Sequence, residues 1–304
     1  MGTPHWPDEP VCRGQSVSEA FATILTHNFG RLGAWEGAAR DWEEIEGVHQ
    51  VRVAFRRMRS ACTTFRPAVG RRSVRRWSRA MRELGGALGP ARDLDVLVSE
   101  VLEPYGESFP LPGREQFLAA VKVARTRAYR DVRRMLDGDS YARFRVDFPV
   151  WCAARGWEEA IGDKRAARLS MPVEAFAAEL LDAQEARVLG AGEAADPNDA
   201  TAMHRLRIEC KKLRYLVEFF RGLFDGMEPF IGHLKELQDL LGVMHDIAVT
   251  EGLVKRILGR RKNRELLLYA GGLVGWRSHE VFALRDTFAS LWQAFVDGGK
   301  PWRG

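Results

Sequence analysis

The chain lacks any uninterrupted apolar segment of membrane-spanning length. Its longest mostly apolar run, Leu266–Trp276, falls well short of the ~20 residues that a spanning helix needs. It has only four cysteines, Cys12, Cys62, Cys152 and Cys210, and none forms a CxxC pair or has a histidine at zinc spacing. That argues against a disulfide framework and against a zinc site. Cys62 and Cys210 fall on or beside apolar stripes, where a reduced cysteine packs as a small hydrophobe, so a cytoplasmic protein is expected. The opening MGTPHWPDEP has neither the positive n-region nor the apolar h-region of a secretory signal. No convincing alternating strand run is found.

The most informative absence is local. From Gly47 through Arg82 there is no aspartate or glutamate, and the same stretch holds Arg52, Arg56, Arg57, Arg59, Arg66 and six further arginines. The net charge of the whole chain is only +5, so distribution matters more than total. Solvated helix faces normally interleave signs, because like charges one turn apart repel. A segment this one-sided is destabilised unless an anion relieves it.

What is present is a stretch that occurs twice, HQVRVAFRRMR at 49–59 and HRLRIECKKLR at 204–214. His49 matches His204, Arg52 matches Arg207, Arg56 matches Lys211, Arg57 matches Lys212 and Arg59 matches Arg214. At about 100° per residue, His49, Arg52, Arg56 and Arg59 share one helical stripe. Val51, Phe55, Met58 and Cys62 share another. Each copy therefore reads as a helix with an apolar face and a basic face headed by histidine. EAFAT at 19–23 returns as EAFAA at 174–178 at the same offset, and RELxxxLG at 82–89 returns as KELxxxLG at 235–242 at an offset two residues shorter. Three blocks in the same order indicate a duplicated unit. The expected architecture is all-α: two pseudo-symmetric helical bundles packed as one body. Residues 1–15 form a flexible tail, half one covers about 16–160 and half two about 171–296. The break lies around 150–170, where Pro149, Gly156, Gly162 and Pro172 interrupt weaker patterns.

Helices are expected from Ser16, through the first motif to before Pro67, from about Gly70 to Leu88, from about Arg114 to Leu136 and from about Ser140. Gly89-Pro90 is expected to end the third of these. Asp93 and Asp246 read as caps or first-turn acids after a glycine-terminated helix, in preference to a metal carboxylate pair; no metal and no cofactor is expected. Trp77, Trp151, Trp157, Trp276 and Trp292 read as core, because they do not alternate with basic residues as stacking aromatics would.

The candidate anion-binding residues are His49, Arg52, Arg56, Arg59, His204, Arg207, Lys211 and Arg214, joined by Arg82 and Lys235 at matched positions on the following helix. Arg72, Arg76 and Arg79 extend that face in the first half only, because Gly232 stands where Arg79 does. Arg57 and Lys212 point away from the histidine stripe and read equally well as solvated surface. Guanidinium forks take phosphate oxygens in pairs, and arginines one turn apart are spaced about 5 Å along the axis. That spacing suits a polymer of closely set charges better than one small anion.

HQVRVAFRRMR, HRLRIECKKLRY, LGPARDLDV and LQDLLGVMHDI together resemble the CHAD family, the conserved-histidine α-helical domains, over about Ser16 to Phe295. The resemblance implies two helical bundles around a basic groove or pore, binding of inorganic polyphosphate, and in some members location at polyphosphate granules. It also implies that His49, Arg52, Arg56 and Arg59 line the basic surface, faced by His204, Arg207, Lys211 and Arg214. The ExExK motif of the CYTH domain that often accompanies CHAD is not found, which implies a stand-alone CHAD protein without triphosphatase activity. The expected function is non-enzymatic polyphosphate binding, with nucleic acid bound only weakly and non-specifically and no membrane partner. The alternatives are a nucleic-acid-binding protein and an enzyme of phosphate chemistry. Binding is expected to be tighter at pH 6 than at pH 8, because a polyanion favours protonated His49 and His204, although the neighbouring arginines oppose this.

Overall fold

The computed structural model describes residues 11–103, 110–159, 161–261 and 263–303, with the side chains of 246, 248 and 280–283 outside that description. Among the described residues the regular structure is helical, apart from one isolated bridge between Ser16 and Pro172. The first half holds α1 (Val17–Trp35), α2 (Ile45–Thr64), the short α3 (Arg66–Val69), α4 (Arg71–Ala87), α5 (Gly89–Val96, continued by a π-helical turn over Leu97–Leu102), α6 (Arg114–Leu136) and α7 (Asp139–Ala153). A short α8 (Asp163–Ser170) leads to α9 (Val173–Glu193), α10 (Ala200–Phe220), α11 (Glu228–Leu258) and α12 (Arg264–Asp297).

Local chemistry accounts for the elements that carry the site. Ser16 caps α1 in a capping box: its Oγ accepts from the Glu19 amide at 3.2 Å, and the Glu19 carboxylate accepts from the Ser16 amide at 2.9 Å. On α2 the expected apolar stripe of Val51, Phe55, Met58 and Cys62 is fully buried. Gly47 lets the turn before α2 press onto it, since a Cβ there would lie 2.2 Å from the Ala38 carbonyl carbon. On α4 the stripe of Val74, Trp77, Met81 and Leu84 is buried, which turns the arginines outward. Asp199 caps α10 by accepting from the Thr201 and Ala202 amides.

Helix α1 packs on α2 and α2 on α4; α9 packs on α10 and α10 on α11. The two arrays meet where α1 touches α9 and α2 touches α10. At the latter contact Arg57 of α2 meets Glu218 of α10, while Thr63 of α2 shares a hollow with Lys212 of α10. Numbers rise on one helix as they fall on the other, so the two motif helices run antiparallel here. The core is continuous across this contact. Phe65 lies 5.1 Å from Phe21, 5.4 Å from Phe176 and 5.8 Å from Phe220, ring centre to ring centre, and all four rings are buried. Phe21 and Phe176, like Phe65 and Phe220, are positions matched by the motif offset.

Four expectations are corrected. Residues 11–15 are no loose tail: Val11 is buried, Arg13 bonds the Leu223 carbonyl, Gly14 donates to Glu174, and the Gln15 carbonyl accepts from Val173 at 2.9 Å; residues 1–10 lie outside the described residues. Pro149 does not mark the break, because it sits inside α7, and the chain turns only after Ala153. Asp93 is not in a first turn, since α5 already begins at Gly89 with Pro90 in its opening turn. Gly242 ends no helix, because α11 runs through it, and Asp246 therefore falls in a helix interior; its side chain lies outside the described residues.

Candidate anion-binding surfaces

Apart from Lys212, the structure divides the sequence-selected basic residues among four places. The first lies where α2, α5, α10 and α11 approach one another. His49, Arg52 and Arg56 are half-buried along α2. Burial, then the nearby Arg92 charge, pushes the His49 pKa down to about 4; Glu46 pulls the other way, and Arg56 and Arg52 add to the depression. Arg52 donates to the Gly85 carbonyl of α4 at 3.3 Å, which fixes its head against main chain. Arg56 lies over the Tyr215 ring at 5.4 Å, and Arg214 of the other half lies over the same ring at 5.8 Å. Burial, Arg214 and Arg52 hold the Arg56 guanidinium below its ordinary range, against the Tyr215 and Glu218 charges. Its Nε and the Tyr215 hydroxyl are both buried without a hydrogen-bond partner. Asp93, half-buried beside Arg52, Arg256 and Arg92, has its pKa raised, because desolvation outweighs those three cations.

The second place is built by α10 and α11. His204 is exposed and stacks on His245, with ring centres 5.1 Å apart and planes 26° from parallel. Burial, then Arg207, His204 and Lys211, pushes the His245 pKa down to about 4. His245 and Arg92 were not selected from the sequence as site residues, yet each is part of the field around a motif histidine. Both immediately precede the matched aspartates, in LGPARD and LGVMHD, so a signal was there: the same position carries a nitrogen base or cation in both halves.

The third place is an open groove of about 890 Å³ between α2 and α4. It takes in Arg59, Arg82, Arg72, Arg76 and Arg79, together with Arg66 and Arg75. Two of these are paired: Arg76 with Asp147 at 2.8 Å and Arg79 with Glu83 at 2.8 Å. Both pairs are exposed, and such pairs are worth little in water. The fourth place is a cavity of about 320 Å³ between α10 and α11, lined by Arg214, Arg221, Lys235 and, from the other half, Arg57. Arg57 is therefore neither free surface nor part of the histidine stripe. It donates to Glu218 through Nε at 3.2 Å, and Glu218 also pairs with Arg214 at 3.2 Å. Lys212 lies elsewhere, in a hollow between α2, α9 and α10, and bonds Glu209 at 2.6 Å.

Matched positions line the groove and the cavity: Arg59 with Arg214, Arg66 with Arg221, Ser78 with Ile231, Arg82 with Lys235, and Thr63 with Glu218. Only the last pair differs in charge. Among the described residues no group of three or more His, Cys, Asp or Glu is placed to hold a metal ion, and no helix is long and apolar enough to cross a membrane.

Comparison with known proteins places this arrangement. The chain is 27% identical over 260 residues to the uncharacterized proteins Rv2226 and MT2285 from two strains of Mycobacterium tuberculosis, covering 84% of this chain and 47% of each relative. It thus spans about half the length of those proteins. The fold superposes on the crystal structure of the CHAD domain from the plant Ricinus communis with a TM-score of 0.79 at 22% identity, covering 99% of this chain and 98% of that one. PptA from Streptomyces chartreusis gives a TM-score of 0.66 at 17% identity, covering 92% and 100%. The CHAD domain family model matches residues 23–255, which contain both motif helices and all four basic places, and the chain belongs to that family.

Proposed function

We propose that this chain binds inorganic polyphosphate through the basic surfaces of α2, α10 and α11 and carries out no chemistry on it. The observation that supports this reading best is Arg56. A guanidinium held half-buried between Arg52 and Arg214, with a buried Nε lacking a partner, is an arrangement that an incoming anion improves. Arg52 and Arg214 act on it directly, and Arg92, Arg207 and Lys211 add positive charge around His49 and His245. Polyphosphate carries roughly one negative charge per phosphate and has no bases to read, so charge pairing and release of counterions suffice for affinity. Among the described residues no group of three or more His, Cys, Asp or Glu is placed to hold the Mg²⁺ that phosphoryl transfer ordinarily uses. Family membership adds the expectation of polyphosphate association, including recruitment to polyphosphate granules.

The test is a titration of the purified protein with polyphosphate at several salt concentrations, with duplex DNA as competitor. Saturable binding that weakens linearly on a log–log salt plot, and displacement of DNA by polyphosphate but not the reverse, is the expected result. Tighter binding of DNA, or release of orthophosphate from polyphosphate by the pure protein with Mg²⁺, overturns the reading.

A further inference from the structure

Eight of the arginines in the acid-free stretch line the α2–α4 groove and are exposed, away from the histidine clusters. Arg72, Arg75, Arg79 and Arg82 succeed one another at intervals of three or four residues, so they form one outward stripe. From Arg72 to Arg82 that stripe spans about 15 Å of helix axis, longer than a small anion can use. Among the described residues that line the groove Glu83 is the one carboxylate, and it is already occupied by Arg79. Helix α4 opens with Arg71 and Arg72 and has no acid in its first turn, so both cations oppose the helix dipole. The Arg165 guanidinium adds to this end: a Cβ on Gly70, the N-cap, would lie 2.8 Å from it.

The groove does not stop at the edge of the first half. Thr63 and Arg66 line it and also line the adjoining hollow of about 410 Å³, whose far wall carries Arg187 of α9 and Lys212 of α10. The two concavities are therefore contiguous. Arg66, Arg75 and Arg187 are all exposed. A basic path thus leads along α4, over the end of α2 and onto the second half, on residues other than the half-buried His49, Arg52 and Arg56.

We propose that this outer path is a second footprint for the same polymer and makes the protein select long polyphosphate over short. The inference rests on the polyphosphate reading. A short oligomer fills the inner cluster alone, whereas a long chain engages both surfaces. The second contact is then intramolecular, and affinity rises without any change at the first.

The experiment compares tripolyphosphate with polyphosphate of about 100 phosphates, each titrated into the full chain and into two variants: Arg71→Ala with Arg75→Ala, and Arg66→Ala with Arg187→Ala. All four side chains are exposed, and circular dichroism checks that the fold is kept. The expected result is at least about a 10-fold loss for the long polymer in each variant, a salt slope lower by about two, and tripolyphosphate binding within about twofold of the unmodified protein. Unchanged long-chain binding in both variants overturns the outer footprint while leaving the polyphosphate reading intact. Equal losses for both lengths overturn it too, because the groove would then be the primary site. Failure of the unmodified protein to bind either polymer overturns the reading beneath it.

Discussion

The α2–α4 groove and the α10–α11 cavity are built from matched positions and yet differ in charge balance. In the groove Arg59, Arg66 and Arg82 surround Thr63; in the cavity Arg214, Arg221 and Lys235 surround Glu218, which pairs with Arg214 and with Arg57 from the opposite half. Along the next helix the divergence continues: Asp225, Glu228 and Gly232 stand where the first half has Arg72, Arg75 and Arg79. In the groove Thr63 adds no carboxylate, whereas in the cavity Glu218 draws the positive charge into ion pairs that join the halves. The comparison teaches that a basic motif does not by itself mark a ligand surface; the residue one turn beyond it decides.

The largest expected effect removes one cation beside each of the two motif histidine clusters. Arg56→Glu combined with Lys211→Glu should lower polyphosphate affinity by at least about 100-fold, since each reversal removes a pairing charge and adds a repulsive one. Length-resolved pulldown measures it, circular dichroism verifies the fold, and Arg56→Gln serves if the reversal at this half-buried position unfolds the chain. Unchanged binding in the folded variant would refute the site.

A second contrast concerns the backbone. The first half breaks at Leu88-Gly89-Pro90, while α11 passes without interruption through Leu241-Gly242-Val243. A proline cannot donate to the preceding turn, and Pro90 occupies the opening turn of α5, where no donor is needed. Val243→Pro should therefore cost about 3 kcal/mol, whereas Pro90→Val should change stability by less than about 1 kcal/mol. Chemical denaturation of both variants gives the comparison, and equal costs would show that the break has another origin.

The charge exchange itself is a smaller effect. Thr63→Glu should weaken binding of long polyphosphate about 3- to 10-fold by placing a carboxylate in the groove. Glu218→Thr should leave affinity equal or better while loosening the contact between the halves, visible as a lower melting temperature. Opposite signs in a paired titration would reverse the assignment of the two surfaces.

The smallest effect is that of pH, and burial of the histidines sets the range in which it falls. His49 and His245 are pushed down to about 4 in the free protein, so neither gains a proton between pH 8 and pH 6 unless the ligand induces it. Their folded-state pKa values lie below the unfolded value near 6.5. Their contribution to stability is thus complete above that range and is lost as pH falls from about 6.5 to 4. A bound polyanion favours the imidazolium, so affinity should be flat from pH 8 to neutrality and rise about 2- to 3-fold per histidine below it. Calorimetry at four pH values, repeated on His49→Gln with His245→Gln, checks this; a rise between pH 8 and 7 would contradict it.

Much of the fold was legible because the apolar stripes are regular. Val51, Phe55, Met58 and Cys62 on α2, and Val74, Trp77, Met81 and Leu84 on α4, are buried as their spacing requires. What stayed hidden depends on packing between segments far apart in sequence. Pro149 lies inside a helix, where local rules predict an end, and Gly242 ends nothing because no proline follows it. At the site, the motif residues could be read but their sorting could not. Periodicity places Arg56 and Arg59 on one stripe; only the approach of Tyr215 and Arg214 separates a half-buried guanidinium from an exposed one. Arg57 points off the stripe, and no local pattern reveals Glu218 across the contact.

The bridge between Ser16 and Pro172 is made by neighbouring main-chain groups, Val17 donating to the Met171 carbonyl at 3.0 Å and Val173 to that of Gln15 at 2.9 Å. A splice of this kind is blind to side-chain identity. It has a serine that caps a helix on one strand and a proline that cannot donate on the other, and it holds both helix starts level. Charge on either motif helix can then change without touching the hydrogen bonds that join the two helix starts. The electrostatics of the two halves are thereby separable from the contact that sets them side by side.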